Sequence, residues 1–144
     1  MYLVDTVPGV VHAFRFDPER GTISDDRVLV DVPAEVGGPD GLTVDAEGDL
    51  WVAIYGGGRV RRYSPDGELR EELLRPGRAD HLLCVRGSWD CTGSTSRPRT
   101  EHWTDEQRRA EPGAGLVYAF DTDATGRPAA PFRPDPTWWA TVIG

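Results

Sequence analysis

The amino-acid sequence predicts an all-β fold, and three observations support this. Apolar and polar residues alternate with a period of two through most of the first 78 residues, in short runs separated by turn residues. Helix signals are sparse, and only residues 104–111, with Thr104 as a cap and Gln107 three positions later, indicate a helical or irregular insert. Finally, the strand pattern repeats along the chain. These features favour several antiparallel sheets over a helical or mixed fold.

The predicted strands fall into units of similar order. The first unit begins with strands at 2–5 and 10–16, joined by Val7-Pro8-Gly9, and continues after a turn at 17–21. The second unit follows an acidic segment and a hairpin turn, and a third copy of the closing strand occurs near the end of the chain. The remaining predicted strands are 27–32, 50–55, 59–63, 68–74 and 115–121.

The repeat length indicates the architecture. Residues 9–18 and 57–66 match in pattern and lie ~48 positions apart, within the roughly 40 to 50 residues of a propeller blade. The sequence therefore predicts about three blades, the last one imperfect. With 144 residues the chain is short for a closed propeller, so we expect a partial one.

Charge and hydrophobicity exclude several classes of partner. The formal net charge is −8 and the pI is near 4.8, which argues against binding to nucleic acid or to an anionic membrane surface. No apolar run approaches the roughly 20 residues of a membrane span. Asp5 comes too early for a secretory signal, so the expected location is the cytoplasm.

Three strings in the sequence resemble one known family. They are PDGLTVDAEGDLWVAIYGGGRVRRYSPDG, AFRFDPERGTISDDRVLVDV and TDEQRRAEPGAGLVYAF, and the matches cover most of residues 1–78 and 101–132. These segments are similar to the C-terminal half of SMP-30/gluconolactonase/LRE-like proteins, the regucalcin-type lactonases. The resemblance implies a six-bladed β-propeller of roughly twice this length that hydrolyses a small sugar lactone.

The resemblance also implies a divalent cation in the central channel, with calcium, zinc, magnesium and manganese all possible. The family's ligands are a glutamate, an asparagine and the aspartate of the Pro-Asp-Gly motif, and the matching residue here is Asp40. Gly38-Pro39-Asp40-Gly41 reads as a turn from which a carboxylate can project. Oxygen ligands of this kind suit a hard cation. Asp40 is therefore the candidate metal ligand and catalytic general base.

Two ligands implied by the resemblance are not found in this chain. We therefore expect little lactonase activity from the polypeptide alone, and poor solubility because a half ring leaves sheet faces open. Two alternatives remain: a non-enzymatic calcium-binding propeller, or an inactive gene remnant. The expected organisation is a propeller half over residues 1–133 and an atypical tail over 134–144.

Residues 80–98 do not match the pattern around them. This segment, DHLLCVRGSWDCTGSTSRP, contains both cysteines and breaks the alternation. Alternative reading frames of codons for this stretch permit TTSCAFGGPG and LHRLYVT, which look like the family's segment. We therefore expect a frame-shifted stretch that is loose or unpaired. Cys84 and Cys91 match no metal motif and are expected to be free thiols.

Other residues carry weaker expectations. Asp45, Glu47 and Asp49 form an acidic cluster that is either a calcium site or, as we favour, a solvated hairpin turn. His12 is expected to be structural. The arginines at 59, 61 and 62 are expected to form a solvent-facing basic patch. The expected core aromatics are Phe14, Phe16, Trp51, Tyr55 and Phe120.

Overall fold

The computed structural model describes residues 1–74, 83–85, 94–96, 104–110 and 118–128. Its elements within these ranges are three antiparallel sheets and one short helix. The first sheet has the order β1-β2-β3, the central sheet β4-β5-β6-β7, and the third sheet β8-β9-β10. The bounds are β1 Tyr2–Asp5, β2 Val10–Asp17, β3 Thr22–Asp31, β4 Gly38–Val44, β5 Leu50–Tyr55, β6 Arg59–Tyr63, β7 Leu69–Leu74, β8 Leu83–Val85, β9 Ser94–Ser96, α1 Asp105–Ala110 and β10 Tyr118–Phe120.

The first sheet turns one apolar face toward the central sheet. Val11 and Ala13 alternate along β2 and are buried, and Tyr2 and Val4 on β1 pack beside them. The pairing of β1 with β2 places Leu3 opposite His12, on the other face of the sheet. Period two thus divides this sheet into an inner and an outer face.

The central sheet is covered on both faces, as the burial of strand β5 shows. Its residues from Leu50 to Ile54 are all fully buried. Leu50, Val52 and Ile54 pack in the cluster shared with the first sheet, whereas Trp51 and Ala53 pack on the opposite face. A strand buried on both sides reads as a continuous apolar run rather than a strict alternation.

The first strands of the three sheets lie next to one another. Strand β4 is an edge strand of the central sheet and contacts both β1 and β8, each an edge strand of its own sheet. The sheets therefore follow one another in chain order, and their first strands converge on β4.

The structure confirms the all-β fold class, with sheets that are antiparallel throughout the described residues. The helical insert is also confirmed, at Asp105–Ala110. The expectation that residues 80–98 are unpaired is wrong for six of them, because β8 pairs with β9. The rest of that segment, Cys91 and residues 134–144 lie outside the described residues. Blade count and a partial ring stay predictions.

Two of the expected core aromatics are not in the core. Phe16 and Tyr55 are about half exposed, at 48% and 47%, because each lies near the end of its strand. Trp51 is fully buried as expected. Phe14 and Phe120 are intermediate in exposure. Alternation identifies the face of a side chain but not whether another sheet covers that face.

Candidate functional site

Asp40 lies in a β-bulge at the start of β4. The pairing with β5 joins Pro39 to Ile54 and Leu42 to Val52, so that Asp40 and Gly41 together oppose Ala53. A bulge of this kind bends a strand and redirects a side chain, and bulges are common beside active sites. Pro39 is fully buried and Asp40 is partly exposed. The segment is therefore anchored at Pro39, while Asp40 is only partly shielded from solvent.

The expected turn at 38–41 is wrong, because these residues belong to strand β4. Gly41 also does not use the left-handed conformation that a glycine permits, since its φ is not among the positive values in the described chain. The bulge, rather than a turn, directs Asp40. The bulge adds one residue to β4 relative to β5, and the alternation of apolar and polar residues alone does not reveal this extra residue.

Glycines hold the chain entering β4 against the turn between β5 and β6. Gly37 has a φ of 122°, and a Cβ there would lie 2.5 Å from the Tyr55 carbonyl oxygen. A Cβ on Gly57 would lie 2.3 Å from the Val36 carbonyl oxygen. Because no real Cβ approaches so closely, both positions require glycine, and the approach to Asp40 is tightly packed.

A cleft borders the same end of β4. Its volume is about 410 Å³, and it is lined by residues 6–9 of the β1–β2 turn, residues 31–34 at the end of β3 and beyond it, and Gly37 and Gly38. Such a space is in the range of small-molecule sites. The cleft lies beside the strand that carries the candidate carboxylate.

Within the described ranges, no group of three or more His, Cys, Asp or Glu side chains is arranged to hold a metal ion. Asp40 is present, but the remainder of the donor set implied by the resemblance is not. The described residues therefore do not by themselves fit a complete cation site.

In the acidic hairpin at 45–49, Asp45 and Asp49 are buried whereas Glu47 is exposed, so the expectation of a solvated turn is wrong for the two aspartates. Asp45 is 0% exposed and Asp49 is 1% exposed. Asp45 Oδ1 accepts a hydrogen bond from the Asp49 amide at 2.8 Å, and Asp45 Oδ2 accepts one from Trp51 Nε1 at 2.8 Å. Both carboxylates face arginines, so their role is structural rather than calcium binding.

Arg62 lies at the centre of this network, and the expected basic patch is therefore wrong. Its side chain is only 12% exposed; Nη2 lies 3.1 Å from Asp45 Oδ2 and Nε lies 2.8 Å from Asp49 Oδ2. Its guanidinium carbon also lies 5.3 Å from the centroid of Trp51, the residue opposite it on β5. Burial alone would lower the pKa of Arg62, but the surrounding carboxylates together raise it.

The other two arginines of the predicted patch also have acidic partners. Arg59 Nη1 donates to Glu72 Oε1 at 3.1 Å, and Arg61 Nε donates to Glu72 Oε2 at 2.7 Å, across the β6–β7 pair. The hydrogen bond from Arg61 is the main reason that the pKa of Glu72 is lowered. Tyr63 is buried, which raises its pKa.

A distant segment, residues 121–128, closes over the hairpin. Asp45 forms a bridge with Gly126, and Arg127 Nε donates to the Asp45 carbonyl at 3.0 Å. Ala124 is fully buried against the Trp51 face of the central sheet. Asp45 thus joins its own turn, strand β6 and a segment about 80 positions later. The sequence did not identify Asp45 as the residue that joins these three segments, although a buried tryptophan N–H requires an acceptor nearby.

His12 is paired, in agreement with its expected structural role. Its Nδ1 lies 2.7 Å from Asp26 Oδ1, and its ring stacks on Phe14 with centroids 5.9 Å apart. We assign no chemistry to it. In the described ranges, no helix is long and apolar enough to cross a membrane.

Antiparallel sheets in sequential order, with a bulged aspartate at the start of β4, define an all-β protein. Comparison of the chain with known protein families identifies its family. A family model described as the SMP-30/Gluconolactonase/LRE-like region matches residues 1–88, more than half of the chain. The chain belongs to this family.

Relatives of the chain include proteins from distant organisms. An uncharacterized protein of Sulfolobus acidocaldarius is 50% identical over 128 residues, which is 88% of this chain and 42% of that protein. Regucalcin of Oryctolagus cuniculus is 43% identical over 117 residues, 81% of this chain and 39% of its own. The chain therefore spans less than half the length of these relatives.

The fold has similar solved structures. A calcium-binding protein, regucalcin, from Agrobacterium tumefaciens superposes with a TM-score of 0.78 at 30% identity, covering 88% of this chain and 43% of that one. A luciferin-regenerating enzyme superposes with a TM-score of 0.74 at 25% identity, covering 88% and 43%. The chain thus superposes on less than half of each of these larger proteins.

Proposed function

We propose that this chain forms half of a six-bladed β-propeller that hydrolyses a sugar lactone, with Asp40 facing the central channel. One observation carries the proposal: the first strands of the three sheets converge on β4, and the bulge at Asp40 lies at the start of that strand. Blades of a propeller meet in this way around their axis. Membership of a family named for gluconolactonase supports the substrate class.

The proposed chemistry uses Asp40 as a proton acceptor. Its carboxylate takes a proton from a water molecule as the water oxygen bonds to the lactone carbonyl carbon. The ring carbon–oxygen bond then breaks, and the ring oxygen takes this proton from Asp40 to become the hydroxyl of the open-chain acid, which restores the carboxylate. A divalent cation, when bound, supplies Lewis-acid polarisation of the carbonyl.

On this proposal, the chain alone binds a cation weakly and hydrolyses lactones slowly. Calcium takes about 6 to 8 oxygen ligands, whereas the described residues bring no group of three candidate donors together. A purified 144-residue chain that hydrolyses an aldonolactone rapidly with added calcium, zinc, magnesium or manganese would contradict this expectation.

The role of Asp40 has a matched control within the chain. Asp66 lies in a second Pro-Asp-Gly sequence, at an exposed turn after β6. Titration with Mn²⁺ should broaden the amide NMR signals of Gly38 and residues 40–42 first. Asp40→Asn should abolish this broadening, and Asp66→Asn should leave it unchanged. Equal effects of the two substitutions would refute Asp40 as a cation ligand.

The domain assignment belongs to the same proposal. Residues 1–133 form the propeller half, 134–144 an atypical tail, and 80–98 a frame-shifted stretch. Resequencing the locus tests the last point, because codons incompatible with the alternative frames would exclude it. An in-frame coding region upstream, with the glutamate and asparagine of the family, would argue for an enzyme rather than an inactive gene remnant.

A second candidate function is calcium binding without catalysis. It is favoured by the similarity to the Agrobacterium structure, which is described as a calcium-binding protein. Calcium binding measured by calorimetry, with no lactone hydrolysis even when the other half of the ring is supplied, would favour this function over the hydrolase.

A further inference from the structure

Arg59 begins strand β6 and lies directly after the glycine turn at 56–58. Its Nε donates a hydrogen bond to the Gly57 carbonyl at 3.0 Å, and its Nη1 donates one to Glu72 Oε1 at 3.1 Å. The side chains of Arg59 and Glu72 are each 28% exposed, so their ion pair is partly shielded from water. Arg59 therefore ties the glycine turn to strand β7.

The glycine turn requires such a contact if it is to keep one conformation. Its three residues have no side chains to pack, and glycine loses more conformational freedom on folding than any other residue. Within the turn, the Gly57 amide donates to the Ile54 carbonyl at 3.1 Å. The bond from Arg59 holds the carbonyl of the same glycine. Gly57 is therefore fixed through both its amide and its carbonyl.

The chain that leads into β4 packs on this turn. Gly57 lies so close to the Val36 carbonyl that it has no room for a Cβ. Gly37 is similarly close to the Tyr55 carbonyl. Strand β4 is an edge strand of the central sheet, and its bulge follows Pro39, which has no backbone N–H to donate. The start of β4 therefore depends on packing against the turn as well as on hydrogen bonds to β5.

A second arginine on β6 provides an internal comparison. Arg61 Nε donates to the other carboxylate oxygen of Glu72 at 2.7 Å, and its side chain is 14% exposed. Arg61 is the register partner of Glu72 and lies two residues beyond Arg59. Both arginines thus bind the same carboxylate, and the one next to the turn also binds the Gly57 carbonyl. Any effect of Arg59 that Arg61 does not share is therefore attributable to the turn.

We propose that Arg59 is a positioning residue for Asp40, because it fixes the turn on which the start of β4 packs and thereby the direction of the Asp40 carboxylate. This rests on the proposed function for the role of Asp40 as proton acceptor. A proton acceptor has to lie within about 2.6–3.2 Å of the group that it deprotonates. A displacement of about 1 Å can lower a rate by about 100-fold. A turn of three glycines without the bond from Arg59 would permit such a displacement.

NMR couplings test the positioning directly. Three-bond couplings between the backbone nitrogen and the carboxyl carbon of Asp40 show whether its χ1 angle has one value or is averaged over several rotamers. We expect one rotamer in the wild-type chain and averaged couplings in Arg59→Lys, which keeps the charge but lacks the Nε–H donor. Arg61→Lys loses the equivalent bond to Glu72 and should keep the wild-type couplings. Should Arg59→Lys unfold, as judged by circular dichroism, Arg59→Gln replaces it, with Arg61→Gln as control.

Three results would overturn the positioning role of Arg59: averaged couplings of Asp40 in the wild-type chain, wild-type couplings in the Arg59 variant, or equal changes in the Arg59 and Arg61 variants.

The slow hydrolysis of an aldonolactone by the chain tests the functional consequence separately. Arg59→Lys should lower kcat about 10-fold at nearly unchanged KM, whereas Arg61→Lys should change neither. Asp40→Asn should reduce hydrolysis to the uncatalysed rate. If Asp40→Asn hydrolyses the lactone as fast as the wild type, the proposed function fails, while the couplings still decide whether Arg59 positions Asp40.

Discussion

Removal of the Asp45 carboxylate should strongly destabilise the fold. Asp45→Ala takes acceptors from the Asp49 amide, from Trp51 Nε1 and from Arg62, in a site that is 0% exposed. A buried donor left unsatisfied costs about 1–3 kcal/mol, and breaking a buried ion pair costs about 3–5 kcal/mol. Since these effects overlap, we expect a loss of about 4 kcal/mol.

Urea denaturation followed by circular dichroism measures this loss. With a urea dependence of about 2 kcal/mol per molar, the midpoint should fall by about 2 M at unchanged slope. Glu47→Ala is the matched control in the same turn, because Glu47 is 51% exposed and lies 3.6 Å from Arg62. Its free energy of unfolding should change by no more than about 0.5 kcal/mol.

Asp45→Asn refines the test, because the amide keeps one acceptor oxygen but removes the charge that faces Arg62. Its loss should lie between those of Asp45→Ala and Glu47→Ala. If Asp45→Ala lowers the free energy of unfolding by less than about 1 kcal/mol, or by the same amount as Glu47→Ala, the buried contacts of the Asp45 carboxylate do not stabilise the fold as argued.

Two further predictions concern the central sheet. The pKa of Glu72 is lowered, chiefly by the Arg61 hydrogen bond, so the stability it contributes is present above its ordinary pKa of 4.5 and is lost as the pH falls through the lowered value. Urea midpoints of wild type and Glu72→Gln should therefore differ at neutral pH and converge in acid; a constant difference would contradict this. Gly57→Ala should destabilise by more than Gly21→Ala, because a Cβ at Gly57 meets the Val36 carbonyl at 2.3 Å while Gly21 has open space and only a left-handed φ of 64°. Thermal denaturation compares the two, and equal losses would show that the chain before β4 adjusts freely.

Much of the strand pattern could be predicted from the sequence. The strands expected at 2–5, 50–55 and 59–63 occur at those residues. Their alternation and the glycine and proline turns between them are local properties that do not depend on the rest of the fold.

The environment of the charged residues could not be predicted in the same way. Asp45 and Asp49 looked like a solvated turn, and Arg62 looked like part of an exposed patch, yet all three are mostly buried together. Their burial depends on the covering of the Trp51 face, to which Ala124 contributes from far along the chain. Contacts at such separation leave no periodic signal in the residues that make them.

Of the candidate site, the sequence predicted one residue but not its structural setting. The motif identified Asp40, but the bulge that redirects it arises from the pairing of β4 with β5. The close approach of Gly57 to Val36 likewise depends on how two turns meet. Register and turn packing are set by the whole sheet, and a single segment does not encode them.

The docking of residues 121–128 on the central sheet has a consequence for biosynthesis. Synthesis proceeds from the N-terminus at about 5–20 residues per second. Strands β4 to β7 are therefore complete well before Ala124 leaves the ribosome, and the surface around Trp51 and Val60 lacks this cover in the meantime. A nascent chain stalled before residue 121 would present that surface to chaperones, so the synthesis of residues 121–128 determines when this face of the central sheet is covered.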